Sequence, residues 1–254
     1  MSFFRRVALV LALIPAAAHF AFAQDSSSSS NPAPQQQPQA QQPASTNQGA
    51  ITVQQRIRAR REQRRQQAIR DVYSHLYEAH TSMGYLRWNP GPGTAGHGQQ
   101  RVTLYAWDAG FTRYYGQQLG ITIDGPGYYG SPFVGPNHYS NSAITNPAIS
   151  IYNVMAGPTY RFVTEPRWSV AGRVMGGYSR GNFSGDINGL DPTKLGLYAD
   201  GGSFIISASA PLDYNLTPAF SLRIAPEFVT TGFGSTTQPS FGFTAGFVYR
   251  FGKQ

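Results

Sequence analysis

The chain has 254 residues, of which 13% are charged and 13% aromatic, with 28 glycines and no cysteine; an ordinary globular domain carries roughly twice that charged share. The missing cysteine excludes a disulfide framework, a cysteine-ligated zinc site and a thiol nucleophile. A net charge of +8 suggests a nucleic-acid binder, but seven arginines between Arg56 and Arg70, set against Glu62, carry +6 of it, so the remainder is close to neutral.

At the N-terminus, Arg5 and Arg6 precede an apolar run from Val7 to Ala23, which ends in Ala21-Phe22-Ala23 before Gln24. A positive start, an apolar core and a small-residue site predict a cleaved secretory signal over residues 1–23. Pro15 and the short length argue against an uncleaved anchor helix. Residues 24–49 are a Ser, Gln, Pro and Ala tract that buries too little apolar surface to fold, and are expected to be a disordered linker. Residues 50–77 read as a basic helix with a thin apolar stripe of Ile57, Ala68, Val72 and Leu76. Two readings stay open for Arg56, Arg58, Arg60, Arg61, Arg64 and Arg65: a solvated face of no special role, or contact with anionic lipid head groups or another polyanion. A secreted location argues against nucleic acid as that partner.

Beyond residue 23 no apolar stretch is long enough to cross a bilayer as a helix, so a membrane-inserted mature chain must cross as strands closed into a barrel. Residues 78–254 divide into eight expected strands, at about 78–88, 101–115, 119–129, 149–163, 168–180, 201–215, 219–231 and 240–251. The last is the clearest: Phe241, Phe243, Phe247, Tyr249 and Phe251 alternate with Gly242, Thr244, Gly246 and Arg250. One face is aromatic and the other mostly small or polar. Short turns at 116–118, 164–167 and 216–218 alternate with longer connections, as in outer-membrane barrels with short periplasmic turns and long outside loops. The expectation is an all-β, eight-stranded antiparallel up-and-down transmembrane β-barrel in the outer membrane of a Gram-negative cell envelope. A basic helix precedes it, and both that N-terminal segment and the C-terminus lie in the periplasm. Aromatic rings concentrate at membrane–water boundaries. The expected girdle is Trp168, Tyr160, Phe162, Tyr249, Phe251, Tyr114 and Tyr115 at the periplasmic ends, and Trp88, Tyr85, Tyr128, Tyr129 and Tyr178 at the outer ends.

The closing strand GFVYRFG (Gly246 to Gly252) and the strand AGPTYRF (Ala156 to Phe162), followed by a short turn, resemble those of the small outer-membrane β-barrel domain families of OmpA and OmpX type. The resemblance covers about residues 78–251 and implies fold and location more than activity. It also implies that the barrel assembly machinery recognises the C-terminal strand through its terminal aromatic, here Phe251.

An eight-stranded barrel has an interior filled by side chains. By alternation, Asp108 lies opposite Tyr105, Trp107 and Phe111; Arg173 alternates with Val170, Val174 and Tyr178; Arg223 and Glu227 alternate with Leu222, Ile224 and Phe228. An arginine on the lipid face at mid-depth costs roughly 2–4 kcal/mol, which favours the lumen. Asp108, Arg173, Arg223 and Glu227 are therefore expected to form an internal ion-pair network. Asp124 falls beside a kink near Gly125 and is not assigned to it. The segment His138-Tyr139-Ser140-Asn141 resembles the His-x-Ser-Asn segment of outer-membrane lipid A deacylases, which implies His138 as base and Ser140 as nucleophile. The position of the orienting acid holds Tyr152, and no carboxylate lies between Gly125 and Val163. The expectation is thus no enzyme, no cofactor and no metal. The leading function is structural or interactive (membrane integrity, adhesion or partner binding through the outer loops), with outer-membrane lipid as the surroundings. Alternatives are a narrow porin-like path for small solutes or ions, and a lipid A deacylase.

Overall fold

A computed structural model describes residues 53–93, 101–134, 144–234 and 237–253. Helix α1 (Val53–Tyr73) is followed by β1 (His75–Trp88), β2 (Val102–Tyr114), β3 (Leu119–Asp124), β4 (Gly127–Gly130), β5 (Ala148–Thr164), β6 (Trp168–Gly185), β7 (Gly201–Ser209), β8 (Leu212–Asn215), β9 (Phe220–Thr231) and β10 (Gln238–Lys253). The expected signal (1–23) and linker (24–49) lie outside the described residues.

All strand pairs are antiparallel, and the sheet closes on itself. β1 pairs with β2 on one side and with β10 on the other, Tyr77 facing Arg113 and Phe251 respectively. The ten segments make eight staves. β3 and β4 both lie between β2 and β5, and their stave breaks at Gly125-Pro126. β7 and β8 both lie between β6 and β9, with a break at Ala210-Pro211. Proline has no N–H to give to a ladder, yet the carbonyls at both breaks stay bonded. Pro126 O accepts from Asn153 N, and Pro211 O from Ala171 N. The architecture is an eight-stranded antiparallel up-and-down β-barrel.

Burial is inverted relative to a soluble barrel. On β3, Gly120, Thr122 and Asp124 are buried while Leu119, Ile121 and Ile123 are exposed. On β10, Val248 and Arg250 are buried while Phe247, Tyr249 and Phe251 are exposed. The same rule holds around the ring, with Met83, Phe111, Val154, Val174, Ile206 and Ile224 all outward and exposed. Outward-facing charges, Arg87, Arg113 and Arg180, stand toward strand ends. Leaving so much apolar wall in water forfeits about 25 cal/mol per Å², so the wall calls for an apolar surrounding.

The helix ends at Tyr73 and the first strand starts at His75, each earlier than the sequence pattern suggested. The reason lies at the barrel mouth: Val72 and Tyr73 are buried there, whereas 53–67 is exposed throughout. Of the expected apolar stripe, Ile57 is exposed, Ala68 and Leu76 are half-buried and Val72 is buried.

Candidate functional site

The lumen is filled in three tiers. The tier nearest α1 is ionic and centres on Glu78 of β1, which is fully buried. Its Oε1 accepts from Arg250 Nε at 2.6 Å and from Arg161 Nη2; its Oε2 accepts from Arg223 Nη2 at 3.3 Å and from the Tyr114 hydroxyl at 3.2 Å. Asp213 of β8 takes Arg223 in a fork, at 2.7 and 2.9 Å, and Arg250 Nη2 at 3.1 Å. Such forked pairs are strong because both N–H groups are used. Arg250 also donates to Asn215 and Ser221. Three guanidinium groups thus meet two carboxylates. The surplus positive charge faces aromatic rings: Arg161 lies 3.6 Å from the Tyr114 ring centroid and 5.1 Å from that of Tyr73, which also takes Arg250 at 5.6 Å. Tyr73 closes this end of the lumen, and its hydroxyl donates to Glu165 O at 2.7 Å.

The middle tier is polar. Arg173 Nη1 donates to Asp124 Oδ2 at 3.1 Å and stands 3.4 Å from His80 Nε2. That nitrogen is 3.4 Å from Asp108 Oδ2 and 3.5 Å from Asp124 Oδ1. Ser82 donates to Asp108, and Ser207 to Glu227. Gly110 makes room for this group, since a Cβ there would come within 2.5 Å of both His80 Cε1 and Asp124 Oδ1. Donor atoms of His80, Asp108 and Asp124 lie within 4.8 Å of one another, which is ligand-like spacing. The Arg173 guanidinium stands beside Asp124 and His80 in this cluster.

The third tier, at the end remote from α1, is apolar. Leu86, Leu104, Ile151, Met155, Ile205 and Val229 pack inside the staves, and Trp88, Phe183, Tyr198 and Phe233 continue the plug into the β6–β7 and β9–β10 connections. In the β6–β7 connection, the backbone N–H and hydroxyl of Thr193 both donate to exposed Asp191, and these bonds hold its carboxyl below the usual range.

Three girdle expectations are corrected by this packing. Trp88 is 1% exposed and lies in the lumen, stacked on Phe183 with Nε1 donating to Thr231. Tyr114 and Tyr128 are also buried inside. Trp88 has the parity of Glu78, Ser82 and Leu86, so alternation turns it inward. Trp168, Tyr160, Tyr249 and Phe251 do face outward near the α1 end.

The four charged residues singled out by alternation fall into different tiers. Arg223 belongs to the ionic tier, while Asp108, Arg173 and Glu227 belong to the middle one. Arg173 pairs with Asp124 rather than Asp108, and Arg223 pairs with Asp213 and Glu78. Glu78, Arg161 and Asp213 are not among the residues that the sequence singled out. Parity could have found all three, because each alternates with an outward aromatic or aliphatic neighbour. Arg56, Arg58, Arg60, Arg61 and Arg64 are exposed on α1, whereas Arg65 is held by Glu165 at 2.6 Å. His138 and Ser140 lie outside the described residues.

The chain is similar in fold to small bacterial outer-membrane barrels. Neisserial surface protein A aligns at 14% identity over 69% of this chain and 97% of its own, with a TM-score of 0.47. OprG from Pseudomonas aeruginosa aligns at 10% identity over 70% and 97%, with a TM-score of 0.45. Ail, the attachment invasion locus protein of Yersinia pestis, solved with the heparin analogue sucrose octasulfate, aligns at 15% identity over 68% and 99%, with a TM-score of 0.42. No protein-family model matches the chain, and no curated protein does.

Proposed function

We propose that this chain is an outer-membrane β-barrel with a structural and surface-interaction role, and that its lumen passes no solute. One observation carries the reading: exposed aromatic and aliphatic side chains line the outward wall while the buried charges lie inside. A closed barrel leaves no strand edge unpaired in lipid, which is the condition for spanning with strands. The end bearing α1, the end of β10 and the short turns faces the periplasm, and the longer connections face outward. Residues 1–23 are removed on export, 24–49 act as a tether, and Phe251 in the closing strand is offered to the assembly machinery.

Two features speak against the narrow-path alternative: Tyr73 closes one end of the lumen and the Trp88 plug fills the other. The purified chain, refolded into liposomes, is expected to run as a compact species on an unheated gel and to give no steady conductance in planar bilayers. A steady conductance that disappears in Arg223→Ala would establish a path through the ionic tier and overturn the closed-lumen reading.

The exposed arginines of α1 suit an anionic partner near the inner rim, either lipid head groups or another polyanion. Among the described residues no carboxylate pairs with Arg56, Arg58, Arg60, Arg61 or Arg64. Replacing these five by Gln is expected to abolish salt-sensitive capture of the detergent-solubilised chain by anionic vesicles. Capture that is unchanged by the replacement would return α1 to a merely solvated helix.

A further inference from the structure

At the end remote from α1, four side chains form one row across the outer wall. Tyr105 of β2 pairs with Tyr129 of β4, Tyr129 with Ser150 of β5, and Ser150 with Asn182 of β6. The row beneath, in the same registers, is Trp107, Gly127, Tyr152 and Arg180. The wall opens here for a structural reason. The β2–β4 ladder stops at Tyr105–Tyr129, and the β5–β6 register slips between Ala148 and Ser150. The gap is a cavity of about 650 Å³ whose lining includes Thr103, Tyr105, Tyr129, Ser131, Ser150 and Asn182. That volume lies within the roughly 300–1,000 Å³ of small-ligand sites.

Among the described residues the lining is aromatic, hydroxyl, amide and small or aliphatic, with no charged side chain. Its central ring is held in place. Trp107 Nε1 donates to the Tyr129 hydroxyl at 3.3 Å, and Tyr152 meets the Tyr129 ring edge-on at 5.6 Å. Trp107 itself lies over Gly127, where a Cβ would come within 2.3 Å of Nε1. Asn182 Oδ1 accepts from the N–H and hydroxyl of Ser184, which fixes the amide. Arg180, one row down beside Tyr152, is exposed. Further down the same staves the wall is apolar, with Phe111, Ile123 and Val154 outward.

An occupant must therefore match three levels: an apolar part on the lower wall, an anionic group at Arg180, and an uncharged hydroxylated part in the cavity. Aromatic faces and neutral hydrogen-bonding groups suit a sugar ring, which has C–H faces and hydroxyl edges. We propose that this groove holds the saccharide head group of an outer-leaflet glycolipid, with a phosphate at Arg180 and acyl chains on the wall below. The inference rests on the outer-membrane reading and names the partner of that surface.

The test uses the full chain refolded in detergent micelles, with purified rough-type lipopolysaccharide as the probe and native mass spectrometry as the readout. Tyr129→Ala and Asn182→Ala are each expected to raise the dissociation constant by roughly tenfold or more, and Tyr214→Ala, an outward tyrosine at the other end, to leave it unchanged. Compact migration on an unheated gel checks that each variant is folded. A chain that never forms that species fails the outer-membrane reading. A folded chain whose affinity is the same in Tyr129→Ala and Tyr214→Ala fails only the groove. Competition by lipid-free core oligosaccharide as strong as by the intact glycolipid would overturn the proposal in favour of a free-glycan site. Equal, Tyr129-dependent binding of phosphatidylglycerol would overturn it in favour of a general lipid cleft.

Discussion

Glu78→Gln is expected to abolish stable folding of the barrel. The substitution keeps size and shape but removes the one carboxylate that meets Arg161, Arg223 and Arg250, side chains from three different staves. Among the described residues Asp213 would remain as the only acid paired with this group, and it reaches Arg223 and Arg250 but not Arg161. Removing one partner of a buried ion pair typically costs about 3–5 kcal/mol, because the remaining charge is stranded away from water. Here one carboxylate serves three cations, against a net stability of about 5–15 kcal/mol for an ordinary domain. Urea titration of the liposome-refolded protein, read by gel migration, checks this; an unchanged midpoint would show that Glu78 is not the anchor. The double variant Glu78→Gln, Arg161→Met is expected to recover part of the loss, because it restores the original charge surplus.

Trp88→Ala is expected to cost about 3–5 kcal/mol, the usual range for emptying a buried aromatic site. The ring stacks on Phe183 at 5.7 Å and meets Tyr198 and Phe233 edge-on at 5.9 and 6.1 Å. Its loss leaves a hole between the barrel and the β6–β7 and β9–β10 connections and strands the Thr231 hydroxyl. Trp168→Ala is the matched comparison, since that ring is 43% exposed on the outward wall and its removal opens no cavity. The same urea titration should separate the two clearly. Equal effects would contradict the plug.

The barrel was legible because its physics has a short period. Alternation reveals which strand positions share a face, and loop lengths reveal which ends share a side. Both signals are local, and they gave the eight staves within a few residues, including the kink at Gly125. What failed was inference from residue type. Trp88, Tyr114 and Tyr128 were assigned to the girdle because aromatics near strand ends often belong there, although Trp88 shares the parity of Ser82 and Leu86. The pairing inside the lumen was illegible for another reason. Arg250 reaches Glu78 across 172 positions of sequence, and only the closure of the ring brings them together. Arg250 itself was readable as an inward residue from the closing strand. Asp213 was readable in the same way, because the alternation runs on through Ala210-Pro211 and gives it the parity of Ile205 and Ser207. The early end of α1 follows from Tyr73, whose place among Arg161 and Arg250 depends on a lumen that no local pattern describes.

The three tryptophans allow the inverted architecture to be tested directly. Trp107 and Trp168 are exposed on the outward wall, at 39% and 43%, and Trp88 is 1% exposed inside. Variants that each keep one tryptophan, with Phe at the other two positions, can be refolded into liposomes whose acyl chains carry bromine, a short-range quencher of indole fluorescence. An outward apolar wall in lipid predicts strong quenching of Trp107 and little or none of Trp88. Strong quenching of Trp88 with Trp107 untouched would contradict it, since the face taken here for the lumen would then be the one in contact with the membrane.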